Sequence, residues 1–245
     1  MIHIHHSIQV IAGEARDSDD SIVIEDRFEL LLNDRPVTAM VASRDQLREL
    51  GAGYVISEGL VRCVDKVTLD GDCILVYSDT GCDLNGARRE TGSSGGTSFL
   101  STPPVIVSDV RITPHDVIAI TGEIGTELWR MTGGVHCSVL FCDGRLLAKS
   151  SDVGRHNTVD KLVGYAVLNG IDLSRRVIGC TGRQPAGMVR KSAHAVIPVI
   201  ISRAASTDKG IAAARDAGIT LIGFSRGNRF TIYTHPERVA GILRS

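Results

Sequence analysis

RRVIGCTG (residues 175–182) and IPVIIS (197–202) decide how this chain folds. Neither VIGC nor PVII alternates apolar with polar residues, as a strand with one wet face would. Such runs read as strands covered on both faces, in a sheet held between helical layers. The segments around them fit that reading. A helix over about 186–195 leads into IPVIIS, and a helix over about 207–217 leads into ITLIGFS (219–225). RFTIYT (229–234) reads as a closing strand. Upstream, VHCSVLFCDGRLLAKS (135–150) is a hairpin turning at Asp143-Gly144. RHNTVDKLVGYAVLNG (155–170) is a helix with Val159, Leu162, Val163, Ala166 and Val167 on its apolar stripe. TPHDVIAITGEIGTELW (113–129) reads as one helix, with Thr113 as cap, Pro114 at the first helical position and Asp116 in the first turn. These elements predict a three-layer α/β/α unit.

The first part of the chain has a different pattern. ELLLNDRPVTAMVA (29–42) reads as strand, Asn-Asp turn, strand. SRDQLRELGAGYVISEGL (43–60) reads as a helix capped by Ser43, with Leu47, Leu50, Tyr54 and Val55 near one face. KVTLDGDCILVY (66–77) is a hairpin turning at Asp70-Gly71. A polar, glycine-bearing stretch from about 78 to 104 ends in Pro103-Pro104 and marks the boundary. The expectation is an N-terminal α+β subdomain, 1–102, followed by the α/β/α domain, 103–245.

Composition narrows the functional classes. The chain has 245 residues, 43% hydrophobic and 22% charged, enough for a sizeable core. Its formal net charge is −1 and aromatics are 4%, so no basic field or stacking surface is available for nucleic acid. No apolar run reaches the length of a membrane span. MIHIHHS (1–7) lacks the features of a secretory leader, and its histidines read as the edge of a first strand rather than a metal site. The six cysteines, at 63, 73, 82, 137, 142 and 180, show no C-x-x-C spacing. Free thiols in a reducing cytoplasm are expected.

In sheets between helical layers, ligands sit at strand ends, on loops that start helices. Four such loops hold glycine and polar residues: MTGGVHC (131–137), SDVGRHNTVDK (151–161), CTGRQPAG (180–187) and FSRGNRF (224–230). Three place arginine beside glycine: Gly154-Arg155, Gly182-Arg183, and Arg226-Gly227 with Arg229. Glycine admits close approach of a ligand, and arginine offers a two-pronged fork to phosphate. One such loop alone is usually a turn with a solvated arginine; three together point to an anion pocket. His156-Asn157 and Asp160-Lys161 lie within one helical turn, with Asp160 spaced to orient His156. His136 follows Gly133-Gly134-Val135 at a strand start. There is no GxSxG elbow, Walker A loop or HExxH motif. TGEIGTE (121–127) falls inside the expected helix and is no dinucleotide fingerprint.

ELLLNDRPVTAM, GYVISEGLV, TGGVHCSVLF, DVGRHNTVDKLVG, GRQPAGMVRKSA, IPVIISR and GFSRGNRFTIYTHPERV occur in the order and spacing of the FdhD proteins, which the chain resembles from about residue 22 to 240. The resemblance implies a cytidine-deaminase-like α/β/α fold with an extra N-terminal region, and a homodimer. It implies a sulfur carrier serving formate dehydrogenase. Sulfur would come from a cysteine desulfurase and pass to a molybdenum or tungsten bis-molybdopterin guanine dinucleotide, with GDP as a simple analogue. Phe224, Ser225, Arg226, Gly227, Asn228, Arg229 and Phe230 would form the cofactor segment. Gly154, Arg155, His156, Asn157, Asp160, Lys161, Gly182, Arg183, Gly133 and His136 would supply the other loops. The zinc-deaminase signature, H-x-E with P-C-x-x-C, is missing, so that chemistry does not come with the fold.

The chain departs from the family in TGSSGGTS (91–98). The family's acceptor loop carries C-x-x-C there. Here Ser93 or Ser94 stands at the first cysteine position and Thr97 at the second. A serine hydroxyl at neutral pH cannot hold transferable sulfur. Three readings stay open: a natural variant that binds cofactor without carrying sulfur, use of another cysteine such as Cys82 or Cys137, or an engineered Cys-to-Ser change. Milder departures fall at Pro185 and at Ala204–Thr207. The alternatives to cofactor binding are a scaffold that docks the dehydrogenase without nucleotide, and a hydrolase using the loop serines.

Overall fold

The computed structural model describes residues 1–80, 89–91, 97–99 and 102–242, with 89–91 and 97–99 as backbone. Strands β1 (Ile2–Ile11) and β2 (Glu14–Val23) form an antiparallel ribbon. Then follow β3 (Asp26–Leu32), β4 (Arg35–Ala42), α1 (Leu47–Ser57), β5 (Lys66–Asp70) and β6 (Cys73–Tyr77). The last four strands make a sheet in the order β4-β3-β6-β5. Short strands β7 (Arg89–Thr91) and β8 (Thr97–Phe99) pair antiparallel. The second part contains α2 (Pro114–Glu123), α3 (Glu127–Thr132), β9 (His136–Cys142), β10 (Arg145–Asp152), α4 (Arg155–Leu168), β11 (Val177–Cys180), α5 (Ala186–His194), β12 (Val199–Ser202), α6 (Asp208–Asp216), β13 (Thr220–Arg226) and β14 (Arg229–Ile232). Its six-stranded sheet has the order β10-β9-β11-β12-β13-β14. β11, β12 and β13 run parallel, and the outer strands are antiparallel.

The unalternated runs are buried at every position of β11 and β12. Their side chains point alternately into two cores. Ile178, Cys180 and Ile200 join the core under α4, α5 and α6, while Val177, Val199 and Ile201 join the core under α2 and α3. Helices therefore cover both faces, as the sequence pattern requires.

The first core does not stop at α4. It runs on through α1 to Phe28, Leu30, Ile74 and Val76 of the four-stranded sheet. Two glycines set the spacing of α1 and α4. A Cβ on Gly53 would collide with the Asp160 carbonyl, and a Cβ on Gly164 would collide with the Glu49 carbonyl. The two helix backbones touch, each through the other's glycine. A methyl group there would have to displace backbone, which costs about 1–3 kcal/mol or more.

Several local expectations hold. The α2 capping box is complete, with Thr113 Oγ1 accepting from Asp116 N at 3.2 Å and Asp116 accepting from Thr113 N at 2.7 Å. The β3–β4 turn falls at Asn33-Asp34, both at positive φ, and β9–β10 turns at Asp143-Gly144. Three expectations need correction. Ser43 does not cap α1: the N-cap is Gln46 in the left-handed region, and the Ser43 N–H donates instead to Asp152 across the α1–α4 boundary at 3.1 Å. The β5–β6 turn is Gly71-Asp72, because Asp70 already pairs with Cys73. The single helix read over 113–129 is two, α2 and α3, separated at Ile124–Thr126; Thr126 caps the second through the Trp129 N–H.

Candidate functional site

Parallel pairing brings the carboxyl ends of β11, β12 and β13 to one end of the sheet. Antiparallel β9 begins there with His136, and β10 ends there with Asp152 opposite it. The loops are then stitched together through the backbone. Thr181 N donates to Cys137 O, Arg203 N to Cys180 O, Gln184 N to Ala205 O and Phe224 N to Ala204 O, each at 3.0 Å. Ser202 Oγ and Gln184 Nε2 donate to Gly182 O at 2.7 and 2.8 Å. Adjacent strand ends thus form a fixed floor, as expected for ligand-binding ends of such sheets.

Arginines rise from that floor. Arg155, the first residue of α4, lies across Gly182: a Cβ on that glycine would sit 2.9 Å from Arg155 Cβ and 3.0 Å from its Cδ. Gly182 thus makes room for the arginine itself. Arg183 follows immediately. Arg203 donates to Ile124 O at 3.1 Å and lies over the Trp129 ring, 5.8 Å from its centroid. Arg226 Nε donates to Arg203 O at 2.9 Å, and Arg229 pairs with Arg226 across the β13–β14 turn. Among the described residues none of these five guanidinium groups forms an ion pair. Arg155 Nε and Ser206 Oγ are buried without a hydrogen-bond partner. Burial, and next the charge of Arg183, lower the pKa of Arg155. Such a cluster is short of negative charge.

In the FSRGNRF loop, a bulge between Gly223 and Arg226 turns Phe224 outward at φ 50° and Ser225 inward. Ser225 Oγ meets Thr121 Oγ1 at 2.5 Å, which pins the loop to α2. Gly227, at φ 54°, and Asn228 form the exposed hairpin tip, and Phe230 packs partly against the α2 core. Gly133, at φ 62°, ends α3 and so serves the turn into β9.

Four residues named from the sequence have other partners in the fold. Asp160 and Lys161 are buried in the core. Asp160 does not orient His156; it takes the Lys191 ammonium at 2.9 Å and the Ser57 hydroxyl at 2.5 Å. Lys191 also pairs with Glu58 at 2.6 Å and lies over the Tyr54 ring at 4.7 Å. Lys161 pairs with Asp152 at 2.7 Å. Asn157 Nδ2 donates to Val41 O and Asp152 Oδ1, at 2.8 and 2.7 Å. His156 is half-buried, and desolvation, then Lys191, then Arg155 push its pKa down to about 3. A pKa so low keeps the ring neutral near pH 7.

Sequence reasoning passed over Asp152, Thr181 and Arg203. Asp152 is fully buried and gathers the Ser43, Gly154, Asn157 and Lys161 donors. Its bond to Gly154 N, 2.8 Å, is a short-range Asx turn that D-V-G could have signalled. Thr181 Oγ1 accepts from Cys137 N at 3.1 Å and meets His136 Nδ1 at 3.2 Å. Arg203 directly follows a strand end but has no glycine beside it, so the arginine-glycine pairing that singled out Arg183 passed it by.

Ser93 and Ser94 lie outside the described residues, and Thr97 is given as backbone only, opposite Thr91 in the β7–β8 pair. Of the cysteines proposed as substitutes, Cys82 also lies outside them, and Cys137 has no exposure at all. Burial pushes the Cys180 thiol up to about 12. Cys63 is exposed, 3.4 Å from Thr80 Oγ1.

Comparison with known proteins gives one consistent answer. Residues 23–240 match the family model for the FdhD/NarQ family. The sulfur carrier protein FdhD of Methanothermobacter thermautotrophicus is 34% identical, covering 94% of this chain and 95% of its own. That of Bacillus subtilis is 31% identical, covering 93% of each. A crystal structure from Desulfotalea psychrophila superposes with a TM-score of 0.86 at 27% identity, covering 97% of this chain and 99% of its own. The role suggested for that protein is formate dehydrogenase accessory protein. With the family model spanning most of its length, this chain belongs to the FdhD/NarQ family.

Proposed function

We propose that this protein is a formate dehydrogenase accessory protein that binds the phosphates of a molybdenum or tungsten bis-molybdopterin guanine dinucleotide at the arginine-bearing sheet end. One observation carries the reading: five guanidinium groups without carboxylate partners among the described residues, with Arg155 Nε buried and unsatisfied among them. Guanine-nucleotide phosphates fit such a donor set, since each offers paired oxygens to a planar fork. Arg155 and Arg183 hold one side, Arg226 and Arg229 the other, and Phe224 offers an exposed ring beside them. When bound, the metal centre supplies the chemistry that receives sulfur. The chain's own residues bind and orient the nucleotide ends.

The relatives' names supply the sulfur-carrier role; a cysteine desulfurase as sulfur donor and a homodimeric assembly are part of the proposal. For this chain transfer is separable from binding, because residues 93, 94 and 97 are Ser, Ser and Thr. Calorimetry with GDP tests the binding half. Arg226→Ala with Arg229→Ala should weaken binding about tenfold or more, at 1.5–3 kcal/mol for a charge-assisted bond; unchanged affinity would remove the pocket. Retention of the dehydrogenase in a pull-down by this double variant, with no GDP binding in the wild type, would favour the scaffold reading. Intact mass after incubation with a cysteine desulfurase and cysteine tests the transfer half. A gain of one sulfur, reversed by reductant, means that a cysteine outside the acceptor loop carries it.

A further inference from the structure

His136 stands at the arginine end with its two ring nitrogens in different situations. Nδ1 faces Thr181 Oγ1 at 3.2 Å. That hydroxyl oxygen already accepts the Cys137 N–H at 3.1 Å, so its own hydrogen points to Nδ1. The neutral ring therefore carries its proton on Nε2, for which no hydrogen bond is seen among the described residues. The ring is half-buried. The charged and titratable groups around it are Arg155 and His156 from α4, Arg183 from the loop after β11 and Asp152 from β10. Burial comes first, then Arg155, in holding its pKa below the ordinary imidazole value; Asp152 opposes and Arg183 adds to the lowering.

An anion placed among Arg155 and Arg183 would reverse that balance. It would offset the two positive charges that disfavour a cationic ring, and give Nε2–H an acceptor. Thr181 could then turn its hydroxyl and accept from a protonated Nδ1, because its oxygen has two acceptor sites. We propose that His136 is the proton-linked residue of this anion site: it donates from Nε2 to a bound phosphate oxygen and takes up one solvent proton at Nδ1 as the phosphate docks. The inference rests on the phosphate-binding reading above and adds the residue that makes binding depend on pH. The sign follows from linkage. A pKa that rises on binding makes affinity grow as pH falls through the bound-state value, until the free-state value is passed.

Calorimetric titration of GDP at pH 8 and pH 6 tests this in the wild type and in His136→Gln. The terminal phosphate of GDP titrates in the same range, but equally for both proteins, so the difference between them isolates the histidine. Between the two pH values the wild type should gain more affinity than the variant, up to about tenfold for each unit by which the pKa rises. In an NMR titration, the Cε1–H resonance missing from His136→Gln should show its midpoint move upward at saturating GDP. Equal pH dependence in the two proteins, or an unmoved midpoint, would overturn the inference while leaving phosphate binding in place. A wild type that binds no GDP at either pH would overturn both.

Discussion

The two ends of the six-stranded sheet hold similar residues in opposite states. At the carboxyl end of β11–β13, arginines gather without ion-pair partners among the described residues, and the buried Arg155 Nε and Ser206 Oγ are left over. At the other end, a cavity of about 380 Å³ opens between Ile120, Phe141 and Val177, with Arg111, Arg175, Asp109, Asp116 and Asp143 on its walls. There, however, the polar groups have answered one another. Arg175 pairs with Asp109 at 2.6 Å, Arg111 donates to Val110 O at 3.0 Å, and Asp116 is held in its capping box. The polar groups at the cavity end are thus paired, and the guanidinium groups at the strand ends lack ion-pair partners among the described residues. An account of donors and acceptors favours the strand ends over the cavity as a place for an anion.

Variants can break or sharpen this contrast. The largest effect should come from below the arginine end. Asp152→Asn leaves Lys161 charged and buried without its partner, and should destabilise the fold by about 3–5 kcal/mol in urea denaturation. Above it, Arg155→Ala with Arg183→Ala should lower GDP affinity about 100-fold, since two phosphate-facing forks are lost together. Calorimetry that finds less than a threefold change would erase the distinction between the two ends. A smaller effect concerns the half-buried His156. Its folded pKa, about 3, lies below that of the unfolded chain. Its stabilising contribution is therefore present above about pH 6.5 and is lost as pH falls, by about 2 kcal/mol between pH 6.5 and 5. Urea midpoints of wild type and His156→Gln over that range should diverge by one proton's slope; parallel curves would show that this ring is hydrated. The smallest effect belongs to the other end of the sheet. Arg111→Ala with Arg175→Ala should change GDP affinity less than about twofold, as for substitutions away from a binding site.

The contrast also shows what could be read without coordinates. VIGC and PVII revealed the covered sheet because burial on both faces removes alternation, and the arginine-glycine pairs revealed the strand-end loops. Asp160 and Lys161 misled because helix periodicity places adjacent residues on different faces, and a surface helix wets one of them. Helix α4 has no wet side at that turn: α1 covers one flank and the sheet the other, so both charges are buried and need partners. Those partners, Lys191 and Asp152, are distant or easily taken for loop polarity. Ser43 misled in the same way, since its N–H is claimed by Asp152, over a hundred residues on. Long-range pairing of this kind leaves no periodic trace. The glycines at 53 and 164 were visible as letters, but what they touch was not.

Those two glycines also bear on how the protein is made. Helix α1 offers a backbone surface at Gly53 that only α4 can cover, and α4 leaves the ribosome about 110 residues later. At roughly 5–20 residues per second, that is about 5–20 s. For that interval the four-stranded sheet and its helix lack the α4 side of their shared core. The N-terminal part of this chain therefore completes its folding only on the arrival of the C-terminal part, and a nascent chain halted near the middle would be a substrate for chaperones rather than an independent domain.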